Sequence, residues 1–365
     1  PDDMNGALYN IFFPVDMFEN DADKNEALEQ LAFQLMPLET NMTDTSVFFL
    51  TEGRKILTAA MITYYHQGMD FPQICKRIIS SSWSTLFSEI DQNGNYEAKQ
   101  YINSFEGTNE KNIAGCKQAC DSALKLFATN SHVYNAIGRE REGKEAFTPE
   151  QLENKNIFVV IQDSKLELYE PLVHIITAQC MEYFSNRDNN NQHTILMCLD
   201  EFASFGHLEI TPALRKLRKK HVRIMVLTQS LADIDLIYGR DERMAMLNNF
   251  AYKIVLGCSD SDTQEYFSRL IGEKEVYRKA VSKNGKQVTN TRTEAKERIV
   301  PPAELARLGR HMILLAEGKY YKLTKNYYFE LDLWDRVKKC INNLSRIQEE
   351  DFSEKNTLSL TDENK

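Results

Sequence analysis

The sequence has 365 residues, which is more than one average domain, so two domains are the natural expectation. Hydrophobic residues make up 42% of the chain and charged residues 27%, a composition typical of globular proteins with a large core. The formal net charge of −9 excludes a protein that coats nucleic acid with its whole surface, but it allows a local basic patch.

The cysteines and the apolar runs exclude two further classes of protein. The chain has seven scattered cysteines and no C-x-x-C pair, which favours reduced thiols over a disulfide framework. Cys116 and Cys120 lie one helical turn apart, but no histidine or third cysteine is near enough to complete a metal site. Without a signal peptide or an apolar run of about 18 residues, we expect neither secretion nor a membrane span. Pro1 follows no initiator methionine, so we expect a fragment of a longer protein.

The first long segment is predicted to be entirely helical. From about Glu26 to Phe127, apolar residues recur at spacings of three and four, and turn signals separate the repeats. Asp70 is expected to cap a helix just before Pro72, and Asp44 or Thr45 to precede another.

From Asn156 onward the pattern changes to that of an α/β domain. Short apolar runs rich in β-branched residues alternate with helical stretches, the first helix running from about Leu168 to Phe184. Runs that are apolar on both faces predict a mostly parallel sheet covered by helices on both sides. The runs are Ile157–Ile161, Thr194–Leu199, Val222–Thr228, Lys253–Gly257 and Met312–Ala316. Later, Ser282–Lys296 reads as a hairpin or mobile loop, and the acidic tail from Ile347 as disordered.

The second apolar run ends in two acids, Asp200 and Glu201. A P-loop NTPase needs this arrangement, because a buried strand carries an acid to the sheet edge where ligands bind. The first acid would hold Mg²⁺ through its water shell, and the second would orient or deprotonate the attacking water. The alternative is a buried strand that ends in a solvated acidic turn.

A basic segment follows, and after it a polar strand end. Thr211-Pro212 is expected to begin a helix, and Gln229 ends the third apolar run, where an amide could sense a γ-phosphate. Ser230 could instead simply cap the next helix. One interpretation of the basic residues is an arginine finger with neighbouring contacts to nucleic-acid phosphates. The alternative is favourable placement of cations at a solvated helix end. The basic residues are Arg215, Lys216, Arg218, Lys219, Lys220 and Arg223.

These segments resemble the TraG/TraD group of type IV secretion coupling proteins. The resemblance rests on ordered motifs: Leu199–Leu208, Ala213–Lys219, Val226–Leu231, Ile237–Gly239, Leu270–Val276 and Arg298–Leu305. It implies an α/β fold with a RecA-like P-loop NTPase core, a mostly parallel sheet with helices on both faces, and an inserted all-α domain. The implied division is 1–20 as the start of the nucleotide-binding domain, 21–140 as the all-α domain, 141–335 as the acid-bearing half of the core, and 336–365 as a C-terminal helix and acidic tail.

The resemblance also implies roles for individual residues. Asp200 and Glu201 match the Walker B acids, with Asp200 holding the metal, and Gln229 matches the family's motif III glutamine. Arg218 lies where the family keeps an arginine finger for the γ-phosphate of a neighbouring subunit, with Arg215 as the alternative. The remaining basic residues, Lys216, Lys219, Lys220 and Arg223, together with Arg215, are candidate DNA contacts.

One element of the family is missing from this chain. No G-x-x-x-x-G-K-[ST] phosphate loop is present, and the nearest stretch, Gly138–Lys144, is followed by Glu145 in place of the hydroxyl residue and reads as a charged surface loop. The family's phosphate loop and transmembrane helices lie upstream of the all-α insertion, so truncation would account for both absences. We therefore expect ATP and Mg²⁺ as cofactors of the full-length oligomer, with ATPase activity there, and neither bound by this fragment alone.

The resemblance implies an ATP-driven homo-hexameric motor on the cytoplasmic face of the bacterial inner membrane, with this fragment soluble in the cytoplasm. The motor would translocate DNA, single-stranded or duplex and bound to a relaxase, into a type IV secretion channel. The all-α domain would bind the relaxosome or secreted effector proteins. Two alternatives are a non-catalytic docking module and a DNA translocase of the FtsK-like or HerA-like kind.

Overall fold

The computed structural model describes residues 6–38, 42–141, 144–157, 159–189, 193–284, 287–330 and 334–342. The chain divides into two compact units, residues 1–250 and residues 251–365, which are described separately.

The first half of the first unit is helical, as predicted. Asp70 caps α4 and forms a capping box with Gln73, which confirms the expected helix start. Thr43 caps α3, one residue before the pair that the sequence indicated. The helices share one apolar core. They are α1 (Phe13–Asp16), α2 (Asp21–Leu35), α3 (Asp44–His66), α4 (Phe71–Ser80), α5 (Trp83–Asn93), α6 (Tyr96–Asn103), α7 (Glu110–Thr129) and α8 (Ser131–Ala136).

The chain enters and leaves this helical block side by side. Strand β1 (Leu8–Tyr9) pairs in parallel with β3 (Lys144–Phe147), and β3 pairs antiparallel with β2 (Glu140–Arg141). Arg139 forms an ion pair with Asp16 at 2.7 Å, which joins the segment that enters the helical block to the segment that leaves it. Lys144 therefore begins a strand that pairs with Glu140–Arg141, and not the helix that follows a phosphate loop. Residues 142 and 143 lie outside the described residues.

Within the described residues, the α/β part of the first unit has one parallel pair of strands. Its elements are α9 (Leu166–Asn186), β4 (Ile195–Leu199), α10 (Ile210–Lys216), β5 (Val222–Val226) and α11 (Leu231–Asn249). Strands β4 and β5 pair in parallel from Ile195↔Val222 to Leu199↔Val226, which confirms the predicted direction. One face of the pair packs inward, while Leu196, Cys198 and Met225 on the other face are exposed.

Two parts of the predicted parallel sheet are wrong in detail. The described residues of the first run, Ile157 and Val159–Ile161, form no strand, because apolar β-branched residues make a strand only where a partner satisfies the backbone. The fourth and fifth runs form β6 (Tyr252–Val255) and β9 (His311–Ala316), and these pair antiparallel. An apolar run predicts burial but contains no information on strand direction.

The described part of the second unit contains a three-stranded antiparallel sheet, a long hairpin, two helices ahead of the sheet's last two strands, and a helical segment near its end. The sheet has the order β10-β9-β6, with β10 at Lys319–Thr324. The predicted hairpin is confirmed as β7 (Glu273–Asn284) paired with β8 (Gln287–Arg298). The helices are α12 (Ser261–Ile271) and α13 (Pro302–Leu305).

Residues 334–342 are helical, in line with the expected C-terminal helix. The predicted acidic tail lies outside the described residues. Within the described ranges, no helix combines the length and the apolar character that crossing a bilayer requires.

Candidate active site

The two acids lie on a tight turn directly after β4. Asp200 and Glu201 are both exposed, and Glu201 has left-handed backbone angles, φ 51° and ψ 50°. Asp200 Oδ1 accepts a hydrogen bond from the Glu201 amide at 3.0 Å. The Glu201 carbonyl accepts one from the Ser204 amide at 2.8 Å. The turn (hereafter the acid turn, Asp200–Glu201) therefore presents two carboxylates to solvent from a fixed backbone.

Backbone hydrogen bonds join the acid turn to the end of β5. The Leu227 amide donates to the Leu199 carbonyl at 2.9 Å, and the Phe202 amide donates to the Leu227 carbonyl, also at 2.9 Å. Gln229 follows two residues later and is exposed. Because β4 and β5 are parallel neighbours, the structure brings Asp200, Glu201 and Gln229 to the same carboxyl edge of the sheet.

The alternative interpretation of Ser230 as a helix cap is also confirmed. Its hydroxyl accepts a hydrogen bond from the Asp233 amide at 3.1 Å at the start of α11. Gln229 is thus the last residue before a capped helix, and its amide remains at the carboxyl edge.

The basic residues lie at the opposite edge of the strand pair. Five of the six, all except the half-buried Lys220, are exposed on α10, on the turn Leu217–Lys220 or on β5. Arg223 donates from Nη1 to the Arg218 carbonyl at 3.1 Å, which fixes this turn at the amino end of β5. Five strand residues at about 3.3 Å each separate the two edges by roughly 15 Å. The structure therefore does not bring Arg218 or its basic neighbours to the acid turn of the same chain.

The expected start of the basic helix, with Thr211 as the cap and Pro212 as the first helical residue, is wrong by two residues. Helix α10 begins at Ile210, no side chain caps it, and Thr211 lies inside its first turn. The Thr211 hydroxyl is buried and has no hydrogen-bond partner. Ile210 is fully buried, and the burial of this side chain accounts for the earlier start.

Arg187 holds the basic turn through the Lys220 carbonyl, and no sequence pattern indicates this role. Its side chain is buried, and it pairs with both carboxylate oxygens of Glu153 at 2.7 Å. Its Nη1 also donates to the carbonyls of His193 and Lys220 at 2.8 Å. Glu153 lies 34 residues away in sequence, so no local spacing could have indicated the pair.

A cavity of about 360 Å³ lies next to the segment that follows the acid turn. It is lined on one side by α2 and α7 of the helical block and on the other by α9, Gly206 and His207. The imidazole of His174 donates from Nε2 to the His207 carbonyl at 2.9 Å, and burial lowers the pKa of His174. The helical block and the segment that follows the acid turn therefore face the same cavity.

The residues present fit one part of a magnesium–nucleotide site. Mg²⁺ in phosphate-transfer sites commonly takes one or two carboxylates and completes its shell with water and phosphate oxygens, which suits the exposed Asp200. Within the described ranges, no group of three or more acidic, histidine or cysteine side chains could hold a metal ion. Such an ion would therefore depend on nucleotide oxygens, and the glycine-rich cradle for the phosphates is not in this sequence.

The comparison with protein families decides the classification. The family described as "Type IV secretory system Conjugative DNA transfer" matches residues 1–355. The chain belongs to this family. Similar curated relatives of the family include Protein VirD4 of Agrobacterium fabrum and Protein VirD4 of Rhizobium rhizogenes, each 23% identical over 195 residues. The aligned part is 52% of this chain and only 28% of each relative, so the chain spans a little over a quarter of their length.

Solved structures of a conjugative coupling protein show the fold of this family member. Coupling protein TrwB with a non-hydrolysable ATP analogue matches with a TM-score of 0.68 at 19% identity, over 89% of this chain and 73% of that one. An unbound form, TrwBdeltaN70, matches with a TM-score of 0.65 at 22% identity, over 85% and 69%. The fold class is therefore the predicted one, a RecA-like P-loop NTPase core with an all-α domain.

Proposed function

We propose that this chain carries the acid-bearing half of the ATPase site of a conjugative coupling protein, an ATP-driven motor for DNA transfer through a type IV secretion channel. The supporting observation is that Asp200, Glu201 and Gln229 meet at one carboxyl edge, in a chain of the conjugative DNA transfer family. The division into an all-α domain over 21–140 and the acid-bearing part of the core over 141–335 is part of the same proposal.

Each of the three residues has a distinct chemical role in this proposal. When bound, ATP with Mg²⁺ supplies the phosphoanhydride to be cleaved and the positive charge that neutralises it. The Asp200 carboxylate accepts hydrogen bonds from the water shell of the ion. The Glu201 carboxylate accepts a proton from the attacking water, and the Gln229 amide orients that water. The exposure of both carboxylates suits groups that act on a ligand and not within the core.

Arg218 would act on the nucleotide of a neighbouring subunit. Its position at the amino edge of β5, roughly 15 Å from the acid turn, leaves it no role in hydrolysis within its own subunit. A homo-hexameric ring would bring this edge to the next subunit's site, where a guanidinium could stabilise the charge on a γ-phosphate. Arg215, one helical turn earlier, is the alternative finger.

The other basic residues would contact DNA phosphates. Exposed cations within one short segment can each release a counterion on binding, so affinity should fall steeply with salt. The candidates are Arg215, Lys216, Lys219, Lys220 and Arg223. The helical block would bind a relaxosome or secreted effector proteins at the cytoplasmic face of the membrane. Its many helices, which pack on one apolar core, suit a docking role even in a protein without catalysis.

The direct test is Glu201→Gln in the intact protein that contains this chain. We expect kcat for ATP hydrolysis to fall at least about 100-fold, because a positioned general base contributes that much or more. The dissociation constant for ATP should change by less than about twofold, because the acid does not hold the nucleotide. The matched control is Glu209→Gln, an exposed carboxylate at the start of α10, which should turn over normally.

Two results would contradict the proposal. Near-normal turnover in Glu201→Gln would remove the general-base role. No ATP hydrolysis by the intact wild-type protein, even with Mg²⁺ and single-stranded DNA, would remove the motor and leave the docking module as the function.

A further inference from the structure

Tyr238, the middle residue of the motif Ile237–Gly239, lies directly behind the acid turn, and its motif alone assigns it no role there. It is fully buried on α11, one residue before Gly239, where the helix kinks at φ 72° and ψ 165°. Its ring stacks on that of Phe202, with centroids 5.4 Å apart and planes 10° apart. Phe202 is also fully buried and immediately follows Glu201. The Tyr238 ring therefore contacts the residue next to Glu201, the proposed general base.

The Tyr238 hydroxyl holds the other end of the same segment. It accepts a hydrogen bond from the Leu208 amide at 3.0 Å and lies 3.3 Å from the Gly206 carbonyl, to which it donates. Burial raises the pKa of Tyr238, so the hydroxyl keeps the proton that it donates. A single side chain thus fixes the segment Phe202–Leu208 at both ends.

The backbone of Glu201 needs such support. A left-handed conformation is sparsely populated for a residue with a β-carbon, and it persists only when the surrounding structure imposes it. On the sheet side, the Phe202 amide is bonded to the Leu227 carbonyl. On the helix side, Tyr238 contacts both ends of the segment, and His174 of α9 also donates to the His207 carbonyl. The His207 ring lies 4.8 Å from the Tyr238 ring. If the contacts on the helix side were lost, Phe202 could move, and the Glu201 carboxylate would no longer be held in one direction.

We infer that Tyr238 is a positioning residue for the acid turn, whose ring and hydroxyl fix Phe202–Leu208 and thereby aim the Glu201 carboxylate at the reacting water. The inference rests on the proposed general-base role of Glu201. A displacement of about 1 Å in a catalytic group can cost on the order of 100-fold in rate, so loss of this support should be visible in turnover.

The test is Tyr238→Phe, which removes both hydroxyl hydrogen bonds and keeps the stacked ring. In the intact protein we expect kcat for ATP hydrolysis to fall roughly 10- to 100-fold, the usual effect of losing a group that orients a site residue. The KM for ATP should stay within about twofold, because the phosphate cradle is untouched. Hydrogen–deuterium exchange should become faster in peptides that cover residues 199–208.

The matched control is Tyr9→Phe, which also loses a buried hydroxyl that is bonded, at 2.6 Å, to Gln179. Tyr9 is far along the chain from the acid turn and contacts none of its residues in the described hydrogen bonds, so kcat should stay at the wild-type value. An equal loss of kcat in Tyr9→Phe would show a general loss of stability and overturn the inference.

The remaining outcomes separate the inference from the proposed function. An intact wild-type protein that hydrolyses ATP, with unchanged kcat in Tyr238→Phe, overturns the positioning role of Tyr238 alone. An intact wild-type protein without activity overturns the proposed function and the inference together.

Discussion

The amide of Leu227 donates a hydrogen bond to the carbonyl of Leu199 at 2.9 Å, just beyond the last residue pair of β4 and β5. Beyond this bond, the chain after β4 forms the acid turn and the chain after β5 leads to Gln229. The carboxylates and the amide therefore start from one point of the sheet edge. Arg218 precedes β5 and lies at the other edge, so the same pairing that unites three of the site residues separates the fourth from them.

Arg218→Ala in the intact protein should impair hydrolysis only after assembly. We expect the assembled protein to lose on the order of 1,000-fold or more in kcat, the usual contribution of an arginine finger. The unassembled protein should keep its low basal rate. Turnover measured over a range of protein concentrations, with the oligomeric state followed in parallel, checks this. The matched control is Lys111→Ala, an exposed cation on α7. A defect of equal size there, or one equally present in monomers, would contradict a trans-acting finger.

Much of the fold could be predicted from local sequence, and the parts that could not depend on distant contacts. The spacing of apolar residues gave the helices of the block and α9, because that spacing records which face of a helix is buried. It also gave β4 and β5 as strands. It could not give the antiparallel pairing of β6 with β9, because strand direction depends on the partner and not on composition.

The candidate site likewise has residues that the sequence identifies and residues that it does not. Asp200, Glu201 and Gln229 could be identified because each ends an apolar run. Their support could not, since Tyr238 stands 37 residues after Glu201 and acts through a ring stack and two hydrogen bonds to backbone. The left-handed conformation of Glu201 was equally hidden, because glutamate carries no preference for it.

Arg187→Ala should strongly destabilise the first unit. The variant leaves Glu153 half-buried without its bidentate partner and removes two hydrogen bonds to backbone carbonyls. Breaking a buried, hydrogen-bonded ion pair from one side costs about 3 kcal/mol or more in the free energy of unfolding. Urea denaturation followed by circular dichroism measures this loss.

Lys55→Ala is the matched control, because it breaks a partly exposed pair with Glu52 on α3. Such a pair contributes about 0.5 kcal/mol. Equal losses in the free energy of unfolding would show that the Arg187 pair stabilises the protein no more than a partly exposed ion pair.

The ion pair between Asp16 and Arg139 should make the junction of the helical block sensitive to acid. Burial alone would raise the pKa of Asp16, but hydrogen bonds from Arg139, Asn10 and Tyr65 outweigh it and hold the pKa below its ordinary value. A carboxyl with a lowered pKa in the folded state stabilises the fold above its unfolded pKa, near 3.9, and this contribution disappears as the pH falls through the folded pKa.

The variant Asp16→Asn tests this sign. Wild type should be more stable than the variant by roughly 0.5–1 kcal/mol at pH 5 to 7, because solvent screens this exposed ion pair, and the difference should shrink below about pH 4. Urea denaturation at several pH values measures the difference. Asp91→Asn, on an exposed position of α5, should follow wild type throughout. A difference from wild type that grows towards acid would reverse the assigned pKa direction of Asp16.

Gly53→Ala should destabilise the helical block, although alanine is the better helix former. Gly53 is buried on α3 where it faces α7, and an added β-carbon would lie 2.8 Å from the backbone carbonyl oxygen of Cys116. A backbone oxygen inside a helix cannot move aside as a side chain can, so α3 and α7 would have to separate. Overpacking of this kind costs about 1–3 kcal/mol, against a gain of up to about 1 kcal/mol from helix propensity.

We therefore expect Gly53→Ala to lower the urea midpoint. The control, Thr51→Ala, is exposed on the same helix and should change the free energy of unfolding by less than about 0.5 kcal/mol. A more stable Gly53→Ala variant would mean that the two helices do not approach this closely.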